Sequence, residues 1–452
     1  MGRFLVSLAR LIYARPIGEQ DRKDHQVGGQ VDPARRAAVA LLNGVLGEGR
    51  MLSDLLAQPA GPLAALEPGQ RARAQRLALA VLRHLEPADR LLATHLRKAP
   101  PVEVMNVLRL AVVEMLVDAV PPHGAVNAAV ALLRAGKRTT HQAGLANAVL
   151  RKAAEAGGDW AKLPPQRMPL WLRKPLVGLW GCEVVSAIEA VEAAGAPLDL
   201  TLRDPSQGSL WAERLEAEVL PTGSLRRRVV GQVSELPGYA EGAWWVQDAA
   251  AALPVRLLDP RPGERVLDLC AAPGGKTLQL AAAGAAVTAV DLSGPRMERL
   301  RANLARCGLA AEVVVADALH WTAEPFDAVL LDAPCSASGT IRRHPDLPFV
   351  KDGSEVAGLV ALQAQLIDRA LGLLKPGGRL VVCTCSLLPE EGEGQLAAAL
   401  ARHPGLAVED LAVPGVPEGW RAAGGGLRLR PDHWADRGGV DGFFMARLRR
   451  AG

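Results

Sequence analysis

The sequence predicts a multidomain protein: an all-α N-terminal domain followed by an α/β domain on a mostly parallel sheet. Three observations predict it. The chain has 452 residues, more than one hydrophobic core organises when domains average about 150 residues. Apolar residues recur at helical spacing from Asp32 to about Ala156. After Trp244 short apolar runs alternate with helical ones, the pattern of βα units that build parallel sheets.

Bulk properties set the limits. Hydrophobic residues make up 49%, charged residues 22% and aromatics 4% of the chain, ordinary globular values apart from the scarce rings. A net charge of +4 permits an anionic partner without demanding one, so a nucleic-acid case has to rest on local features. Cys182, Cys270, Cys307, Cys335, Cys383 and Cys385 include no C-x-x-C pair, which argues against a zinc site and a secreted disulfide framework and for a reducing cytoplasm. No metal is expected. The apolar run over 4–13 is broken by Arg10, and no uninterrupted run reaches the roughly 18–20 residues that span a bilayer, so no membrane partner is expected. Residues 1–30 read as a leader without defined structure. Arg3, Arg10 and Arg15 suit an organellar presequence, whereas Glu19, Asp21 and Asp24 suit a frayed or misassigned start.

Residues 31–160 form the helical domain. Asp32-Pro33 reads as an N-cap with proline at the first helical position. Ala38, Leu42, Val45 and Leu46 follow at helical spacing, then Leu77/Val81/Leu85, Val104/Leu108/Ala111/Met115 behind Pro100-Pro101, Val126/Val130/Leu133 and Leu145/Val149. Arg35, Arg36, Arg71, Arg73, Arg76 and Arg83 punctuate these helices, either as a solvated face or as phosphate ligands. Residues 161–243 are mixed, with a helix expected over 184–193 and Arg226-Arg227-Arg228 in a strand-like setting. We read them as a connecting α/β subdomain.

Residues 244–452 form the last domain, with buried parallel strands expected over 266–270, 287–291, 313–317, 328–332 and 380–385. This is a Rossmann-like alternation, and such sheets bind ligands at the carboxyl ends of their strands. The first strand runs into Cys270-Ala271-Ala272-Pro273-Gly274-Gly275-Lys276, a small-residue turn opening a helix, where a cofactor can approach the backbone closely. The turn is neither G-x-G-x-x-G nor a phosphate-binding P-loop. Asp291 ends the second strand, where a carboxylate can accept from ribose hydroxyls, and Asp317 ends the third, where one can address an adenine amino group. Either acid alone is an ordinary strand-end residue; their succession behind the glycine turn makes them cofactor candidates, with Arg296 beside them.

Asp332-Ala333-Pro334-Cys335-Ser336 follows the fourth strand and Thr384-Cys385-Ser386 the fifth, so two thiols and a carboxylate are expected to converge. This pairing, behind Asp268-Leu269-Cys270-Ala271-Ala272-Pro273-Gly274-Gly275-Lys276, resembles the RNA cytosine-5 methyltransferases, above all the bacterial ribosomal RNA enzymes of the RsmB/Fmu/Sun family. The likeness covers most of the chain. Val120-Pro121-Pro122-His123-Gly124-Ala125-Val126-Asn127 and Asn147-Ala148-Val149-Leu150-Arg151 are similar to the family's NusB-like RNA-binding domain. Val246-Gln247-Asp248 is similar to its entry into the catalytic domain, Ile341-Arg342-Arg343-His344-Pro345-Asp346 to its active-site loop, and Asp441-Gly442-Phe443-Phe444 to its last strand.

The resemblance implies S-adenosyl-L-methionine as cofactor, bound by residues 270–276, Asp291, Arg296, Asp317 and Asp332, and a covalent mechanism. Cytosine C5 is a weak nucleophile, so a thiolate first adds at C6, C5 then attacks the sulfonium methyl, and loss of the C5 proton releases the thiol. By the family pattern Cys385 is the nucleophile, Cys335 assists proton removal or release, and Asp332 binds the cytosine N3/N4 edge. DNA cytosine-5 enzymes attack from the Pro-Cys position, so Cys335 is the rival nucleophile. Cys383, Cys182 and Cys307 read as packing residues, and Cys270 as a backbone contributor. Two departures from the pattern stand near the loop: Ala337-Ser338 where Gly-Thr is usual, and Gly392 where Asn is common.

The expected substrate is single-stranded or loop RNA, because the base must be unstacked before attack at C6. Arg342, Arg343 and His344 are its candidate ligands, small-subunit 16S rRNA the expected partner, and a monomer the expected state. Transfer RNA, DNA or an amino nitrogen remain as other acceptors, though the last usually goes with Asp/Asn-Pro-Pro-Tyr/Phe. A catalytically idle RNA-binding assembly factor also remains; the complete cysteine motifs argue against it.

Overall fold

In the computed structural model the described residues are 31–228 and 231–451, so the leader expected over 1–30 lies outside them. They divide into two compact units. Among the described residues no helix is long and apolar enough to cross a membrane, and no group of three or more His, Cys, Asp or Glu is arranged to hold a metal.

The first unit contains the helices Pro33–Glu48, Leu52–Ala57, Pro68–Arg83, Leu85–Ala93, Val102–Leu116, Pro122–Ala135 and Ala143–Glu155. The first begins as its sequence predicts: Asp32 accepts from Ala34 N at 2.9 Å with Pro33 behind it, and it ends at Gly49 in the left-handed conformation (φ 65°). Leu41, Leu42, Leu77, Leu82, Leu108, Leu133 and Leu150 are buried in one core, each contributing about 2 kcal/mol by leaving water. The unit also holds residues 343–352: Phe349 and Val350 pack on that core, and Asp346 Oδ2 accepts from Leu52 N at 2.8 Å.

Several of the helical arginines are internal fasteners. Arg35 is buried against Glu114 (2.9 Å) and Asp32 (2.9 Å), Arg73 also pairs with Asp32 at 3.1 Å, Arg76 with Asp118 at 3.2 Å, and Arg71 donates to Ala64 and Leu66 carbonyls. Their periodic placement does not distinguish this use from phosphate binding, because it says nothing about which carboxylate a folded neighbour presents.

The second unit contains two sheets. The smaller is antiparallel, in the order β2-β3-β1-β4, from β1 Leu198–Leu202, β2 Glu218–Val219, β3 Leu225–Arg227 and β4 Trp244–Val246. This moves a boundary: Trp244–Val246, expected to open the catalytic domain, is an edge strand of the connecting sheet, paired through Leu200↔Val246 and Leu202↔Trp244. Arg226 of the basic triplet is buried in a bidentate pair with Asp199 (2.7 and 2.6 Å). The helix expected over 184–193 is the second half of Leu170–Ala194, which breaks at Gly181 (φ 82°).

The larger sheet is eight-stranded, with β5 Arg265–Leu269, β6 Ala286–Asp291, β7 Glu312–Val315, β8 Phe326–Asp332, β9 Leu374–Thr384, β10 Leu406–Val408, β11 Leu427–Leu429 and β12 Phe443–Arg450. β7, β6, β5, β8 and β9 are neighbours in that order and all parallel, while β12 lies antiparallel on β9. Val266, Leu267, Ala328, Val329, Leu330 and Val381 are buried on its two faces, which is why these strands read as unbroken apolar runs. The chain lays β6 and β7 on one side of β5 and β8 and β9 on the other. The crevice at a topological switch point therefore opens beyond the carboxyl ends of β5 and β8, where the glycine turn and the first cysteine motif begin.

Candidate active site

The cofactor side is built on the turn after β5. Cys270 takes a left-handed backbone (φ 60°) and Gly274 φ 104°; a Cβ on Gly274 would meet Leu300 Cδ1 at 2.2 Å, so only glycine serves there. Helix Gly275–Ala282 starts immediately after. Asp291, buried at the end of β6, braces the turn: its Oδ2 accepts from Ala272 N (3.0 Å) and its Oδ1 from Ser293 N (2.8 Å), leaving each oxygen one further acceptor position. Arg296 donates to the Ala272 carbonyl. Asp317 is exposed, accepts from Leu319 N (3.0 Å) and His320 Nδ1 (2.8 Å), and is held below the usual carboxylate range by the Leu319 amide and then His320.

Asp268, within β5, was missed by the sequence reading as a polar site residue. Its Oδ2 accepts from Thr277 Oγ1 at 2.6 Å, while its buried Oδ1 has no hydrogen-bond partner, and burial pushes its pKa up to about 7. An orphaned buried acceptor beneath a small-residue turn, with Asp291 beside it, fits a bound molecule that brings donors, as S-adenosyl-L-methionine does through its ribose and amino groups.

The catalytic side lies on the adjacent strands. Asp332, ending β8, pairs in register with Cys383 of β9, and the two motifs leave the sheet side by side. Ala333 N donates to Cys383 O and Gly339 N to Cys385 O, each at 2.9 Å. Cys335 Sγ and Cys385 Sγ come to 3.5 Å, both half-buried. The convergence expected from sequence is thus present in the fold. Hydrogen bonding with Cys385, then burial, raises the Cys335 thiol well above its ordinary pKa. Burial does the same for Cys383, whose Sγ donates to Asp332 Oδ1 at 3.5 Å, and pushes Cys270 up to about 12. Those two thiols stay protonated at neutral pH.

Three assignments change. Lys276, read as a cofactor ligand, puts its buried ammonium on Asp332 Oδ2 at 2.7 Å and 5.3 Å from the Phe443 ring centroid. Burial, the largest single effect, opposes its charge, but Asp332 together with Cys383 and Asp268 holds it above its ordinary value. Arg342, read as an RNA ligand, is 0% exposed: it pairs with Asp248 and with Asp441 (3.4 Å) and donates to the carbonyls of Gly438 and Gly439 (2.6 and 3.1 Å). Its neighbours Arg343 and His344 are exposed. Cys182, read as a packing residue, is exposed, whereas Cys307 is buried.

The structure explains one of the two departures from the family pattern and makes the other a strained position. Ala337 stands at φ 59°, where glycine costs nothing and a Cβ does. Ala337→Gly is expected to raise stability by about 1 kcal/mol, relief of strain outweighing the added freedom of the unfolded chain; a denaturant midpoint below wild type would rule this out. At Gly392 a Cβ would meet Arg428 Nη2 at 2.4 Å and Phe444 Cγ at 2.8 Å, so an asparagine does not fit this packing.

Comparison with known proteins follows the same outline. A family model described as 16S rRNA methyltransferase RsmB/F matches residues 255–449, and a NusB family model matches residues 32–155. Ribosomal RNA small subunit methyltransferase B of Pseudomonas putida is 36% identical over 442 residues, covering 92% of this chain and 98% of that protein. The protein of the same name from Xanthomonas campestris is 36% identical, covering 92% and 97%. Among solved structures, a methyltransferase homolog protein from Pyrococcus horikoshii is 27% identical with a TM-score of 0.51, over 60% of this chain and 92% of its own. PH0851 shares the fold at 23% identity and a TM-score of 0.71, over 93% and 99%. With 36% identity to these enzymes over nearly its full length, and with two thiols meeting beside a glycine-turn crevice, the chain belongs to the RsmB/F family of 16S rRNA methyltransferases and carries a NusB-family domain in front of the catalytic one.

Proposed function

We propose that this protein methylates C5 of one cytosine in 16S rRNA through a covalent Cys385–C6 adduct, acting in the cytoplasm as a monomer. The observation that carries it is the pair of thiols 3.5 Å apart beside the Lys276-bound carboxylate of Asp332. A transferase acting on an amino nitrogen has no use for either thiol. Bound S-adenosyl-L-methionine supplies an electrophilic methyl group. The glycine turn, Asp291 and Asp317 would hold it, with the orphan oxygen of Asp268 as a further acceptor.

The remaining work belongs to the chain's own groups. Cys385 adds to C6 and makes C5 nucleophilic. Asp332, oriented by Lys276, binds the cytosine N3/N4 edge and favours the protonated ring. Cys335 lies where it can assist removal of the C5 proton or release of Cys385 as the C6–S bond breaks. Arg343 and His344, exposed on the segment packed with the helical unit, contact phosphate.

The test is methyl transfer from labelled cofactor to unmodified 16S rRNA, with the product mapped. One 5-methylcytosine is the expected result. Silence on 16S rRNA with activity on transfer RNA would reassign the substrate, and silence on both would favour the idle assembly factor.

A further inference from the structure

Each catalytic cysteine is followed by a serine: Cys335-Ser336 and Cys385-Ser386. Both hydroxyls donate to the same atom, Glu391 Oε2, each at 2.6 Å. The other oxygen, Oε1, accepts from Ser336 N at 2.9 Å and from Gln363 Nε2 at 3.0 Å. Glu391, Ser336, Ser386 and Gln363 are all buried. Four donors around one carboxylate are the complement of an ionised group, which only accepts.

The bracing continues on the other side of each cysteine. Gln363 Nε2 also donates to Pro334 O at 2.9 Å, immediately before Cys335. Thr384 Oγ1, immediately before Cys385, donates to Glu391 O at 3.0 Å. Residues 334 and 336, and residues 384 and 386, are therefore tied to one turn, Pro389–Glu391, and to Gln363 on helix Val356–Gly372.

We infer that Glu391 is a positioning residue that fixes the spacing of the two catalytic thiols, a role that rests on the two-cysteine mechanism proposed above. Backbone bonds from Ala333 N to Cys383 O and from Gly339 N to Cys385 O bring the two loops alongside; the shared carboxylate fixes the residues next to each thiol, whose sulfurs stand 3.5 Å apart. Glu391 is buried and its carboxylate is taken up by Ser336, Ser386 and Gln363, so it acts through Cys335 and Cys385. A buried carboxylate carries a second consequence: its charge adds to the effects that raise the Cys335 thiol, after the Cys385 hydrogen bond, burial and the Cys385 charge.

The test compares wild type with Glu391→Gln and Glu391→Ala by three measurements: single-turnover methyl transfer, calorimetric cofactor binding, and iodoacetamide alkylation of Cys335 and Cys385 mapped by peptide mass across a pH series. Glu391→Gln keeps the volume but loses the charge and puts a donor where acceptors are needed. We expect its methyl-transfer rate to fall about 100-fold, the cost of misplacing reacting groups by about 1 Å, with cofactor affinity unchanged. The Cys335 alkylation profile shifts to lower pH. A merely structural role would lower activity and cofactor affinity together and leave the alkylation profile of the folded fraction unmoved.

Should Glu391→Gln fail to fold, Ser336→Ala/Ser386→Ala removes both hydroxyl ties to Glu391 while keeping its charge, and the single-turnover rate decides the matter: a fall with cofactor affinity unchanged supports the bracing, and a wild-type rate overturns it. Wild-type rate and wild-type alkylation in the folded Glu391 variants would overturn the inference. Alkylation needs no RNA, so the inference stays separable from the substrate proposal: an inactive wild type with a Glu391-dependent Cys335 profile faults the substrate alone.

Discussion

Cys385→Ala is expected to abolish methyl transfer, with a loss on the order of 10⁴-fold or more, because without addition at C6 the C5 carbon remains a poor nucleophile and positioning alone cannot compensate. Cys335→Ala gives a different outcome. The adduct forms but resolves slowly, and a protein–RNA complex that survives denaturation accumulates on a gel. The 3.5 Å approach of the two sulfurs makes either one a candidate attacker on distance alone. Cys335 is raised well above its ordinary pKa by the Cys385 hydrogen bond and by burial, which suits a group that stays protonated until release. An active Cys385→Ala with a dead Cys335→Ala would invert the two roles.

Arg342→Ala has the largest expected effect on stability. It strips a fully buried cation from Asp248 and Asp441 and leaves both buried carboxylates, with the carbonyls of Gly438 and Gly439, short of a donor. Breaking a buried pair from one side costs about 3–5 kcal/mol, which for a unit of this size is roughly a 10 °C fall in melting temperature. Neutralising the carboxylates in Arg342→Met/Asp248→Asn/Asp441→Asn recovers part of it, since the penalty is the uncompensated charge. Arg343→Ala provides the contrast. Its side chain is exposed, and its loss is expected to lower the salt dependence of RNA binding by about one released counterion. A melt of Arg342→Ala within a degree or two of wild type would show that the buried pairing carries no such load.

These two adjacent arginines mark the limit of what is legible in one dimension. Both stand in Ile341-Arg342-Arg343-His344, and sequence reasoning treats them alike as basic loop residues. In the fold one is buried beneath Asp248 and Asp441 and the other is exposed, a difference set by residues about a hundred positions away. Lys276 is similar: beside the glycines it reads as part of the cofactor turn, yet its partner is Asp332, brought alongside by the parallel pairing of β5 and β8. The Glu391 bracing left one trace, a serine after each cysteine, too common a residue to notice without the third party.

By itself the sequence determined the helical and α/β regions, the Asp32 cap, five successive parallel strands of the catalytic domain, the glycine turn and the two cysteine motifs. All of these rest on local pattern: hydrophobic period, small residues where backbone must bend or be approached, and chemistry placed at strand ends. Only the tertiary structure decided that Trp244–Val246 closes the connecting sheet, that Arg35, Arg226 and Arg342 are internal ion-pair partners, and that a buried glutamate ties the two thiols together. The physical reason is the same each time. A polar side chain's role is set by the partner that desolvates or satisfies it, and that partner is chosen by long-range packing, which the spacing of residues along the chain does not encode.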